Sequence, residues 1–153
     1  MRMSSFLSGI AAVVWSAGVI ADTGNLCRGG EKTVWSCRAG TKYYSLCASR
    51  NLGAQDGYLQ YRAGLPSRLD LRFPDGLIHP RGHFRFGLLA HGASVEFARG
   101  AYLYEISEDL KGDTSILVRL PQGRMASIDC SDATQTLTEN RTIDLFKSAG
   151  LAE

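Results

Sequence analysis

The chain has 153 residues, with 17 Lys and Arg against 15 Asp and Glu and a formal charge of +2 when the histidines are neutral. So even a balance, with the basic residues scattered along the chain, argues against nucleic acid or another polyanion as partner. The length is that of one domain.

Residues 1–21 have the layout of a secretory signal. Arg2 supplies a positive start, an uncharged apolar stretch follows from Phe6 to Ile20, and Val19-Ile20-Ala21 places small residues where a signal peptidase reads them. An apolar run of roughly 15 residues is too short to span a bilayer. Cleavage after Ala21 is therefore expected, leaving a single β domain over 22–153, with no membrane span and a periplasmic or secreted location. Lipidation at Cys27 is disfavoured because Leu26 precedes it.

Cys27, Cys37, Cys47 and Cys130 all follow that point. In an oxidising compartment they read as two disulfides, for which three pairings exist. Cys37–Cys130 with Cys27–Cys47 is preferred, because the first bridge would tie the first long strand to the last. The spacings of ten, ten and eighty-three residues lack the close pairs of a zinc module. No metal and no cofactor is expected.

Beyond the leader the periodicity is two. Runs at 32–38 and 42–49 flank Ala39-Gly40-Thr41, a hairpin signal. Alternation continues at Leu69/Leu71/Phe73, Phe84/Phe86/Leu88, Val95/Phe97, Tyr102/Tyr104/Ile106 and Ile116/Val118/Leu120. Gly, Pro and Asp clusters at 54–57, 64–67, 74–76, 99–100, 111–113 and 121–123 separate the runs. These features predict an all-β fold of eight to nine strands, disulfide-stapled, as a small antiparallel barrel or a sandwich, with the barrel preferred because closure leaves no free edge. Thr136-Leu137-Thr138-Glu139 resembles a capping box and predicts a short C-terminal helix ended by Gly150.

Chemistry-bearing residues are sparse. His79 and His83 sit around Pro80 and Gly82, which favour a loop, and the sequence leaves open whether they converge with His91 on a metal. No Gly-x-Ser-x-Gly, Ser-x-x-Lys or His-Glu-x-x-His occurs. A glycosidase-like pair would have to come from Asp70, Asp75, Glu96, Glu105, Glu108 and Asp109, most of which fall at polar strand positions or turns. Tyrosine and arginine are more suggestive of a recognition surface. Tyr43 and Tyr44 point to opposite faces, so one is expected to be exposed. Tyr43, Tyr58, Tyr61 and Arg62, with Arg99 and Tyr102 of a later turn, form the candidate binding set.

Glu31-Lys32-Thr33-Val34, Lys42 through Ser49, Gly57-Tyr58-Leu59-Gln60-Tyr61-Arg62 and Phe97 through Tyr104 together resemble a family of small secreted or periplasmic proteobacterial proteins. That resemblance spans about Glu31 to Cys130 and implies export, not an activity. In size, export signal, disulfides and strand pattern the chain is also similar to the periplasmic inhibitors of c-type lysozyme, an architectural likeness that carries over no residue. The expected function is a non-enzymatic binding protein of the envelope, inhibiting a cell-wall hydrolase or conferring immunity to one. The alternatives are an envelope glycan-active enzyme and a small-ligand-binding β-barrel. In the last case Trp35, Phe73, Phe84, Phe86 and Phe97 already suffice to fill a small interior.

Overall fold

The computed structural model describes residues 24–152, which form ten strands in two five-stranded antiparallel sheets. The signal peptide expected over 1–21 lies outside the described residues. The first sheet holds β1 (Lys32–Ala39), β2 (Lys42–Ala48), β3 (Leu59–Leu65), β4 (Arg68–Phe73) and β10 (Asp132–Gln135), in the order β10-β1-β2-β3-β4. The second holds β5 (Arg85–Leu89), β6 (Gly92–Arg99), β7 (Tyr102–Asp109), β8 (Thr114–Arg119) and β9 (Met125–Asp129) in chain order. A helix, α1 (Asn140–Ser148), follows the last strand.

The expected barrel does not form. Neither sheet closes, and the architecture is the sandwich. The chain changes sheet twice, through the loop after β4 and at residues 130–131 between β9 and β10, and no ladder joins the two sheets. Within each sheet most consecutive strands are joined by tight turns, while the loop 49–58 carries the chain from β2 to β3.

One ladder row of the first sheet determines the packing. Gln135, Trp35, Leu46, Tyr61 and Phe73 are cross-strand partners in succession. At one end of this row Gln135 Nε2 and Trp35 Nε1 donate to Gly112 O (2.5 Å) and Thr114 Oγ1 (2.9 Å). In its middle Tyr61 packs on Phe97 and Tyr104, with centroids 4.9 and 6.0 Å apart. At the other end Phe73 stacks on Phe97 at 4.8 Å and meets Phe84 edge-on at 5.5 Å. A row that runs across one set of strands thus meets residues lying diagonally over the other, from the β7–β8 turn through β8, β7 and β6 to Phe84 just before β5, so the strands of the two sheets cross.

The second sheet answers with two inward rows. Phe86, Val95, Ile106, Ile116 and Ile128 make one, and Phe97, Tyr104, Val118 and Ala126 the other. Trp35, Leu46, Tyr61, Val95, Ile106 and Ile116 are essentially inaccessible to solvent. The interior is filled by side chains.

The helix seals one side of this core. Phe146 meets Phe86 edge-on at 5.0 Å, and the Phe86 N–H donates to Leu151 O (2.8 Å). Gly150 ends the helix with φ +72°, its N–H donating to Lys147 O while that of Leu151 donates to Phe146 O. That is the paired arrangement of a glycine-stopped helix. The capping box does not form: the Thr136 hydroxyl donates to Val34 O of β1, and Glu139 caps without a side-chain hydrogen bond.

Both disulfides take the preferred pairing, Cys27–Cys47 and Cys37–Cys130. The second fixes the corner where the chain leaves β9 for β10. It closes a separation of 93 residues, a constraint worth about 4–5 kcal/mol on the chain-entropy account. Replacing both Cys37 and Cys130 by Ala should lower the urea midpoint by an amount equivalent to about 2–5 kcal/mol. An unchanged midpoint would show that the corner is held by packing alone.

Candidate functional site

The two ends of the second sheet differ in chemistry. At one end lies a cleft of about 730 Å³ between the 89–92 hairpin, the 109–114 hairpin and the 129–133 corner. At the other end are the 99–102 hairpin and the 3₁₀ turn Pro121–Gly123. Seven residues of β6 separate them, roughly 23 Å of strand.

Local sequence explains the shape of the cleft. Gly92 lies where β6 comes against β7, and a β-carbon there would collide with Glu108 O, so no other residue fits. The Leu110 N–H donates to His91 O at 2.9 Å, tying the two hairpins together. The wall is fixed by Thr114, whose hydroxyl accepts from Trp35 and donates to Ser107 O (2.5 Å). The Cys37–Cys130 bridge pins the opposite lip.

The lining is acidic. Of its 17 residues five are carboxylates (Glu108, Asp109, Asp113, Asp129 and Asp132), and none is Lys or Arg. Glu108 is buried and already committed, its two oxygens accepting from Leu137 N, Thr138 N and the Thr138 hydroxyl at 2.8–3.1 Å. The four aspartates are exposed or partly exposed at the mouth. Arg38 donates to Gly40 O and lies over the Tyr43 ring, and Lys111, exposed in the 109–114 hairpin, is not part of the lining. Around the mouth Leu88, Leu89 and Leu110 are exposed, the last by 67%. A chain whose total charge is +2 therefore gathers negative charge at this end of the second sheet.

The sequence-derived binding residues do not assemble at the cleft: Tyr58 and Arg62 meet on Glu31, and Arg99 and Tyr102 pair at the far end of the second sheet. Tyr61 is a core side chain, 1% exposed, whose hydroxyl is shifted upward by burial. Tyr43 is buried under Arg38, and Tyr44 is partly buried against the core, so neither tyrosine of that pair is exposed as expected. Arg99 and Tyr102 are exposed cross-strand partners at the end away from the cleft, and Gly100 between them takes the positive φ its position called for.

Arg62 is the largest departure. Charged residues rarely bury completely, yet Arg62 is 1% exposed and its partner Glu31 4%. Arg62 Nη1 and Nη2 grip the two Glu31 oxygens at 2.7 and 2.8 Å, Nη1 also donates to Leu26 O, and Nε donates to Gln60 Oε1 at 2.8 Å. Glu31 accepts further from the Arg28 N–H (2.6 Å) and the Tyr58 hydroxyl (2.7 Å). Tyr58 thus belongs to this network, and the hydrogen bond to Glu31 raises its own hydroxyl pKa.

The three histidines stay apart in role. His79 Nε2 is 2.9 Å from Gly53 O, His83 lies edge-on to Phe73, and His91 lines the cleft. Among the described residues the only three-ligand cluster is Cys27, Glu31 and Cys47, whose sulfurs are bonded to each other and so offer no thiolate. Of the carboxylates considered for glycoside chemistry, Asp70 pairs with Lys42 at 2.9 Å, while Glu96 and Glu105 face each other across β6 and β7.

No protein-family model, curated protein or solved structure matches this chain. The functional reading rests on the site itself.

Burial alone would raise the Glu31 pKa, but its hydrogen bonds from Arg62, Arg28 and Tyr58 and the attraction of Arg62 outweigh it, bringing it from 4.5 to about 2. The unfolded chain therefore takes up this proton first. Glu31 contributes stability on the order of 3 kcal/mol above pH 4.5, lost as the pH falls toward 2. Urea unfolding across that range should show a steeper acid loss in the wild type than in Glu31→Gln, and parallel curves would contradict the assignment.

Proposed function

We propose that this protein is a non-enzymatic binding module acting outside the cytoplasm, whose acidic cleft receives a basic surface of a protein partner, most specifically a cationic cell-wall hydrolase that it inhibits. The observation that carries the reading is the segregation of charge: five carboxylates and no Lys or Arg in a 730 Å³ cleft, with exposed leucines at its rim. Complementary charge steers association and fixes register, and apolar rim residues give the complex its buried area. Two disulfides fit an oxidising compartment. Among the described residues no helix is long and apolar enough to cross a membrane.

The binding mode requires little movement. Hairpins tied by the Leu110–His91 hydrogen bond and a corner fixed by a disulfide present the aspartates on a rigid frame. Preorganisation of that kind lowers the cost of association.

The test is titration of a basic muramidase with the oxidised chain, followed by activity and calorimetry. Inhibition should weaken as salt is raised, because rim charges are screened over about 10 Å at 0.1 M. Asp113→Asn, Asp129→Asn and Asp132→Asn combined should weaken binding by at least about tenfold, a little over 1 kcal/mol, and flatten the salt dependence. Equal binding by this variant, or by an acidic hydrolase of the same class, would remove the cleft from the account.

A further inference from the structure

The outer face of the first sheet, opposite the core, carries a second recognition element. Ser36, Ser45 and Arg62 lie in one ladder row there, with Gln60 two residues away on the same strand as Arg62. All four are buried. What covers Ser45, Gln60 and Arg62 is not part of either sheet: residues 24–31 cross this face as a strap, fastened by Cys27–Cys47 and by the Leu26 N–H donating to Ser45 Oγ at 2.9 Å. A strap over a sheet normally buries apolar residues. This one buries a guanidinium and delivers a carboxylate to it.

The receptor is oriented independently of the strap's carboxylate. Gln60 Nε2 donates to Pro74 O at 2.8 Å, which leaves Gln60 Oε1 to accept from Arg62 Nε. That hydrogen bond points the Nη1/Nη2 edge outward as a fork, the geometry that matches a carboxylate with two parallel hydrogen bonds. Tyr58, whose backbone N–H is fixed by Ser49 Oγ at 2.9 Å, adds a hydroxyl donor. The occupant comes from the end of a short turn, 28–31, in which Arg28, Gly29 and Gly30 are all exposed.

We propose that Arg62, Gln60 and Tyr58 form a carboxylate-binding site whose resident ligand is the side chain of Glu31, so that the site accepts a carboxylate supplied from outside when Glu31 is absent. The ligand class is a monocarboxylate, free or ending a side chain. Anions lacking the planar pair of oxygens do not satisfy the fork.

Formate is the probe. Glu31→Ala is compared with the wild type in sodium formate and in sodium chloride at equal ionic strength, reading the thermal midpoint. The variant should rise with formate concentration, saturably and beyond the change seen in the wild type, because a ligand that binds only the folded state stabilises it by mass action. If the variant does not fold in chloride, formate should restore its folded signal. Equal shifts in variant and wild type would overturn the proposal, as would equal effects of formate and chloride on the variant, or failure to fold in both salts.

Discussion

The row Trp35, Leu46, Tyr61 and Phe73 decides how the two sheets meet. Large side chains standing in line across one sheet can be buried only against a second surface that runs along the same line, and β7 with its neighbours supplies it through Thr114, Tyr104, Phe97 and Phe84. Crossing follows from that fit, and the corner follows from the crossing. Because the strands of the two sheets cross, the chain passes from β9 into β10 in two residues, and the Cys37–Cys130 bridge fastens that passage. Hairpins of the second sheet then project past the corner and enclose the cleft.

The same geometry leaves the outer face of the first sheet needing cover of its own. The strap provides it, at the cost of burying the Arg62–Glu31 pair. Removing charges from water is expensive unless each is paired and hydrogen-bonded, and here both are: four hydrogen bonds reach Glu31 and four leave Arg62. A buried ion pair of this kind adds less to net stability than to the choice of one arrangement for the strap. Loss of one partner is severe because the other is left buried with its charge.

Much of the fold was legible in the residues because alternation is a local signal. Leu69 to Phe73, Tyr102 to Ile106 and Ile116 to Leu120 each state which face is apolar, and the turn residues between them mark the hairpins. Gly150 announced the end of the helix in the same way. Sheet membership was not legible, since it depends on which apolar rows meet across the interior; a barrel and a crossed sandwich have the same local pattern. Strands β3, β9 and β10 carry no clear alternation: β3 is buried on both faces, and Met125–Asp129 and Asp132–Gln135 are short and largely exposed. Arg62 was read as a surface residue because its partner stands 31 positions earlier, beyond any local pattern. The acidic cleft was invisible for a related reason. Asp109, Asp113, Asp129 and Asp132 each read as an ordinary turn or strand-end residue, and only the corner brings the two pairs together.

The proposed recognition surface is the corner end of the second sheet, not the end bearing Arg99 and Tyr102. Hydrogen–deuterium exchange of the oxidised chain, alone and with a basic muramidase, tests it most directly. Exchange should slow over 89–92, 109–114 and 129–133, with the 99–102 hairpin unchanged. Protection centred on 99–102 and the neighbouring turn, or no protection at the corner, would contradict it.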